Sequence, residues 1–167
     1  MKKQLLFPLL SLVTLAVPGA DLYRVELSAI RQNNVVSREE NKETILKFYS
    51  AEKRSTLWSH PLSVETIARL ENKIVYLTGL ISYEDVTFKP KPWNGVKLML
   101  GTTLEDGRQW NPGARIPTGS SDGWVRYQVK IDLRGKKLKK ATLLIGLENV
   151  GGIVEYRDVR FVDEPVK

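Results

Sequence analysis

The hydrophobic period of this chain is two. Val125, Tyr127, Val129 and Ile131 alternate with Trp124, Arg126, Gln128 and Lys130, and Val96, Leu98 and Leu100 alternate with Lys97 and Met99. Tyr23, Val25 and Leu27 alternate with Arg24, Glu26 and Ser28, and Leu46 and Phe48 with Lys47 and Tyr49. Successive side chains of a strand point to opposite faces, so each of these segments has one face to bury and one to show to water. Segment 74–83 is β-branched and aromatic, with Val75, Leu77 and Ile81 on one face and Gly79 as a bulge or a point of close approach. Segment 141–147 is nearly all apolar, as in a strand covered on both faces. Helical spacing occurs only briefly, at Val64, Ile67 and Leu70 behind a capping residue, Ser63. That is enough for one helical turn or a crossover between sheets.

The punctuation between these segments is that of an all-β domain. Lys89-Pro90-Lys91-Pro92 cannot lie inside a central strand. Glu105-Asp106-Gly107 is a turn built on a good hairpin dipeptide, and Gly151-Gly152 reads as a second hairpin turn. Segments 31–41 and 110–123 read as polar loops, the latter with one short strand near Arg115. Near the end, Val154 and Tyr156 share a face, as do Val159 and Phe161. Strict alternation cannot put both pairs inward, so one extra residue is required near Arg157 or Asp158. About eight strands with Gly/Pro-rich turns and no long amphipathic helix predict an all-β jelly-roll β-sandwich of two antiparallel sheets.

The N-terminus is organised differently. Lys2 and Lys3 precede an apolar run from Leu5 to Val17, followed by the small residues Gly19 and Ala20. A basic start, an apolar stretch shorter than the roughly 20 residues of a membrane helix, and a small-residue zone describe a signal peptide. Residues 1–20 are expected to be removed, leaving 21–167 as a single domain, secreted or periplasmic and without a membrane span. The chain has no cysteine, which excludes a thiol nucleophile, a thiolate metal site and disulfide staples. The formal charge of +7 falls to +5 when Lys2 and Lys3 leave. The densest basic run, Arg134, Lys136, Lys137, Lys139 and Lys140, reads as a solvated turn, with contact to an acidic glycan or an anionic surface as the functional alternative. No nucleic-acid-binding motif is present.

Catalytic constellations are missing as well. A glycosidase of this architecture needs two carboxylates about 5–10 Å apart. Glu39-Glu40, Glu84-Asp85 and Glu105-Asp106 fall in loops, turns or strand ends, and Glu155 and Asp158 lie on either side of the required bulge. His60 is the only histidine and has no triad or metal-ligand spacing around it. Sugar binding asks for other groups: an aromatic ring to stack on the apolar face of a pyranose, and amide or charged side chains for its hydroxyls. Trp93 and Trp110 lie in polar, loop-like contexts with Asn94, Lys97, Arg108, Gln109 and Asn111 nearby. Trp124 opens a strong strand and is expected to pack.

The second half of the chain carries further detail: Trp93-Asn94-Gly95-Val96-Lys97-Leu98-Met99-Leu100, Asp106-Gly107-Arg108-Gln109-Trp110, Gly123-Trp124-Val125-Arg126-Tyr127, Leu144-Ile145-Gly146-Leu147-Glu148, and the terminal Gly151-Gly152-Ile153-Val154-Glu155-Tyr156-Arg157-Asp158-Val159-Arg160-Phe161. In order and character this resembles the galactose-binding-like jelly rolls, in particular the carbohydrate-binding modules attached to cellulases and xylanases. In those modules a Gly-Trp opens a central strand and the last strand reads roughly apolar-x-aromatic-Asp-Asp-Val. Arg157 stands here where the first Asp would be, and Asp158 keeps the second.

The resemblance implies a secreted, non-catalytic module that binds plant or cell-wall polysaccharide, or an oligosaccharide from it, beside a glycoside hydrolase as accessory. Trp93, Asn94, Lys97, Trp110, Arg108 and Gln109 are the candidate sugar contacts. It also implies a structural calcium between the first and last strands, for which Asp158 and Glu26 are the candidate oxygen donors; no other cofactor is expected. Two other classes stay open: a protein-docking sandwich of the cell envelope, and a small jelly-roll glycosidase or lyase. Exposed, coplanar Trp93 and Trp110 favour sugar binding, burial of both favours docking, and facing carboxylates in a cleft favour catalysis.

Overall fold

The period-two segments form strands because each offers an apolar face that only a facing sheet can cover. The computed structural model describes residues 20–51, 54–87 and 90–166; the segment 1–20, read from sequence as a signal peptide, lies outside them except for Ala20. In chain order the elements are β1 (Asp21–Arg24), a 3-10 turn at Leu27–Ala29, β2 (Val35–Glu40), β3 (Glu43–Ser50), β4 (Thr56–Pro61), α1 (Val64–Leu70), β5 (Ile74–Glu84), β6 (Gly95–Leu104), β7 (Gln109–Trp110), β8 (Val125–Asp132), β9 (Leu138–Glu148) and β10 (Gly152–Val162).

Two antiparallel sheets result. Sheet A has the order β2-β3-β10-β5-β8, with β1 also on β10, and sheet B the order β4-β9-β6-β7. The core lies between them. Leu98, Leu100, Leu143, Ile145 and Leu147 of sheet B meet Leu46, Phe48, Leu77, Ile81, Ile131, Val154 and Phe161 of sheet A, all fully buried. Gly79 is the close-approach point that its sequence context suggested: a Cβ there would lie 3.3 Å from Val159 Cγ2 and 3.7 Å from Leu98 Cδ1. Among the described residues no helix is long and apolar enough to cross a membrane.

The extra residue in the last strand is present. The register of β10 against β5 shifts between Arg157 and Arg160, with Asp158 at φ 52°. This turns both Val154/Tyr156 and Val159/Phe161 into the core, each at most 1% exposed. The bulge also divides one edge of β10 between two partners. β3 takes Gly152 to Tyr156, and β1 takes Arg160 to Val162. Ser63 caps α1 by accepting a hydrogen bond from the Thr66 amide at 3.2 Å, so the brief helical spacing is a short helix.

Three sequence expectations are corrected. Segment 31–41 contains a strand, β2, because a polar edge strand can pair along its length with β3 while burying almost nothing, and alternation reports burial, not pairing. Gly151-Gly152 is not a hairpin turn, since β9 belongs to sheet B and β10 to sheet A. The chain crosses between sheets there, and Gly152, at φ 124°, comes within 2.9 Å of the Glu84–Val86 backbone at the position a Cβ would occupy. Strand β9 is covered fully on one face only, because Thr142 and Leu144 on the other are half-buried.

One side chain ties the two sheets together. Tyr156, wholly buried, crosses the core from sheet A. Its hydroxyl donates to Lys97 O at 2.7 Å and accepts from Gly146 N at 3.0 Å, on the backbones of β6 and β9. Burial pushes this phenol well above the usual tyrosine range. Its ring stands edge-on to Phe48, with centroids 5.5 Å apart.

Candidate functional site

The outer face of sheet B is read from its register. Leu98, Ile145 and Trp58 share the inner face; one residue along, Lys97, Gly146 and Leu57 share the outer face, followed by Met99, Leu144 and Ser59. After β7 the chain runs back along the free edge of β6. Leu100 N donates to Pro112 O and Ala114 N to Leu98 O, both at 2.9 Å, with Gly113 opposite Met99. This return brings Arg115 level with the beginning of β6. Between it and the turn before β6 lies an open cleft of about 420 Å³, lined among others by Trp93, Lys97, Met99, Asn111 and Arg115. The glycine at 113 is needed for the close run, since a Cβ there would lie 3.1 Å from the Met99 side chain.

Trp93 is the most exposed tryptophan, at 64%. The turn that carries it is fixed from behind. Asn94 N donates to Lys91 O at 2.9 Å, and Gly95, at φ 120°, lets the chain bend into β6. The buried Lys97 ammonium donates to Trp93 O and forms an ion pair with Glu148 Oε2 at 2.7 Å. Asn94 Nδ2 donates to the same carboxylate oxygen at 3.4 Å. Lys97 and Asn94, read from sequence as sugar contacts, are thus 8% and 4% exposed and already partnered. Their role in the structure is to hold the Trp93 turn rigid. The Lys91 ammonium stands 5.2 Å from the Trp93 ring centroid, in cation–π range.

Trp110, Arg108 and Gln109 are not part of this cleft. Trp110 pairs with Thr102, an inward position, and is half-buried against the core, with the Lys136 ammonium 5.1 Å from its ring centroid. Arg108 is spent on Asp106 across the β6–β7 turn, at 2.7 Å, and Gln109 is exposed. From Gly95 to Thr102 the strand advances about 23 Å at normal rise, so the two tryptophans occupy opposite ends of β6. Arg115 and Met99 are not among the sequence candidates, and Asn111 enters there only as a neighbour. Met99 lies six residues along β6 from Trp93, whereas Asn111 and Arg115 lie some twenty residues away and are brought there by the return of 112–114 along β6, which carries no alternation signal.

The residues at Asp158 do not fit a cation. Asp158 Oδ1 is 3.0 Å from Arg24 and 3.3 Å from Arg160, and Oδ2 is 3.0 Å from Arg126, so guanidinium groups occupy both oxygens. Asp21 adds bonds to Arg24 at 3.0 Å and to Arg160 at 2.7 Å. Glu26 is exposed beside the 3-10 turn, and among the described residues no group of three or more His, Asp or Glu could hold a metal. Positive charge from the arginines fills the place that the resemblance gives to calcium. His60, stacked on Trp58 with centroids 4.9 Å apart, lies 3.2 Å from the Tyr23 hydroxyl and makes no catalytic arrangement with the described residues. Trp124 is partly buried under the Arg157 guanidinium, 4.5 Å from its ring centroid.

No protein-family model matches the chain, and no curated protein matches it in sequence. Its fold does match solved structures. The CBM22-1 xylan-binding domain of Paenibacillus barcinonensis Xyn10C superposes with a TM-score of 0.53 at 11% identity, over 90% of this chain and 99% of that one. The C-terminal family 22 carbohydrate binding module of Clostridium thermocellum Xyn10B gives 0.53 at 9% identity, over 88% and 97%. The likeness at these identities is one of fold: the chain has the jelly-roll architecture of carbohydrate-binding modules.

Proposed function

We propose that the protein is an exported, non-catalytic carbohydrate binder, secreted or periplasmic, that holds a polysaccharide in the Trp93 cleft and works beside a glycoside hydrolase. The observation that carries this reading is a solvent-facing indole on a turn made rigid by a buried Lys97–Glu148–Asn94 network, at the mouth of a cleft of about 420 Å³. An indole fixed in advance stacks on a sugar ring without first losing its own conformational freedom. Asn111 and Arg115 across the cleft offer hydrogen bonds to hydroxyls, and Met99 forms an apolar floor. No carboxylate is among the described residues that line the cleft, which favours binding over hydrolysis.

Affinity electrophoresis of the mature chain in cellulose, xylan, mannan and β-glucan gels tests this. Trp93→Ala should weaken retention by about 1 kcal/mol or more while leaving circular dichroism unchanged, because the ring supports little of the fold. Unchanged retention of the variant would remove the site. A second reading, a protein-docking domain, rests on Val36 and Tyr49, which are 63% and 56% exposed at the β2–β3 edge of sheet A. It gains if the wild type binds no polysaccharide.

A further inference from the structure

The charge around the Trp93 cleft is one-sided. Lys97 and Arg115 line it, Lys91 stands over the indole, and the nearby carboxylate, Glu148, is committed to Lys97 and Asn94. Arg115 is exposed and has no hydrogen bond or ion pair with any described residue. Arg108 and Arg134, both more than half exposed, are by contrast closed onto Asp106 and Asp132 at 2.7 Å. A free guanidinium facing an aromatic platform suits a planar or tetrahedral oxyanion, which it can bind through paired N–H donors. A neutral sugar leaves the charges of Arg115 and Lys91 unanswered, Lys97 being already paired with Glu148.

We propose, building on the carbohydrate-binding reading above, that the ligand is an acidic polysaccharide. A sugar ring stacks on Trp93, and its carboxylate or sulfate pairs with Arg115, with the Lys91 ammonium adding attraction from beside the indole. The recognised chemistry is an oxyanion carried on a pyranose. Carboxylate and sulfate polymers are separate arms of the test. The basic turn at Arg134 to Lys140 lies toward the far end of sheet B and supplies a control, because it could hold an anionic polymer without the cleft.

The experiment is affinity electrophoresis of the mature chain in polygalacturonate, in dextran sulfate, in carboxyl-reduced polygalacturonate and in the four neutral polymers named above, at low salt and at about 0.3 M NaCl. Retention is expected on polygalacturonate, on dextran sulfate or on both, but not on the reduced polymer, and it should fall several-fold with salt. Arg115→Gln should weaken it about tenfold, the loss of one charge-assisted contact, at unchanged denaturation midpoint. Trp93→Ala should weaken it too, and a Lys137→Gln/Lys139→Gln double variant should leave it in place. Which polymer is retained identifies the anion.

Equal retention on neutral or reduced polymer with no effect of Arg115→Gln would overturn the acidic-ligand proposal while leaving the Trp93 reading intact. Loss of retention in the Lys137/Lys139 variant alone would overturn both, by assigning binding to the basic turn. No retention on any polymer would also overturn both.

Discussion

Replacing Tyr156 by Phe removes one oxygen and nothing else from the centre of the sandwich. The ring keeps its edge-on contact with Phe48, so no cavity larger than a hydroxyl appears. The hydroxyl's contacts to Lys97 O at 2.7 Å, from Gly146 N at 3.0 Å and to Gly146 O at 3.1 Å disappear, which strips the backbones of two residues, Lys97 and Gly146, of a partner in a place that water does not reach. A buried polar group stripped of its partner costs about 1–3 kcal/mol, so the two together should cost roughly 2–4 kcal/mol. Both groups belong to adjacent strands of sheet B, and the loss also uncouples that sheet from β10. Equilibrium urea denaturation followed by tryptophan fluorescence should show the midpoint lowered by about 1–2 M with an unchanged slope. A loss under about 0.5 kcal/mol would refute the argument, by showing that the hydroxyl is a passenger and that Gly146 and Lys97 satisfy each other without it.

Other consequences are checked as directly. Leu98→Ala and Leu147→Ala, both at wholly buried positions, should each cost about 2–5 kcal/mol in the same assay; a loss below about 1 kcal/mol at both would mean that the core face is misassigned. Asp158→Ala leaves Arg24, Arg126 and Arg160 facing one another and should destabilise by about 2–3 kcal/mol, whereas a chelator should leave the melting temperature of the wild type unchanged. A calcium-dependent rise in that temperature would restore the metal reading. Burial, with help from the Tyr83 hydroxyl at 3.3 Å, pushes the Tyr127 phenol up to about 12. The fold favours its neutral form, so its contribution to stability is complete below the ordinary tyrosine value near 10 and is lost as pH rises through about 12. Absorbance titration should show a step near 12 that Tyr127→Phe removes, distinct from the still later ionisation of the wholly buried Tyr156; ionisation of all six tyrosines together near 10 would count against it.

The strands that bury a face were legible because alternation is the direct imprint of a two-sided ribbon on sequence. Val125 to Ile131 and the irregular step from Tyr156 to Val159 could be placed, bulge included, from spacing alone. Strand β2 was not, because an edge strand with Arg38, Glu39 and Glu40 spends its side chains on solvent and ion pairs and keeps only its backbone pairing. The crossover at Gly152 looked like a hairpin because close backbone packing and tight turning select glycine for the same reason, the missing Cβ. At the site, Trp93 was readable as an indole in a polar turn. Residue type could not reveal that Lys97 and Asn94 are covered and spent on bracing it, since that depends on where Glu148 falls across the register. Arg115 was hidden for the opposite reason. Its neighbours in sequence, Gly113, Ala114, Ile116 and Pro117, give no alternation to place it, and its position depends on an irregular segment following the edge of a strand.

The cleft hangs from β6 by two short stretches, 91–94 and 111–115, whose outward side chains take no part in the core. On the proposed reading, what the domain recognises is therefore written separately from what makes it fold. Exchanging residues 91, 93 and 115 would alter the shape and charge offered to a ligand while the Lys97–Glu148 brace, the Tyr156 strut and the Asn111 bond to the Thr102 amide stay in place. Such a surface is suited to diversification, by gene duplication in nature or by randomised libraries in the laboratory. With no cysteine in the chain, a displayed library would need no oxidising compartment to reach the folded state.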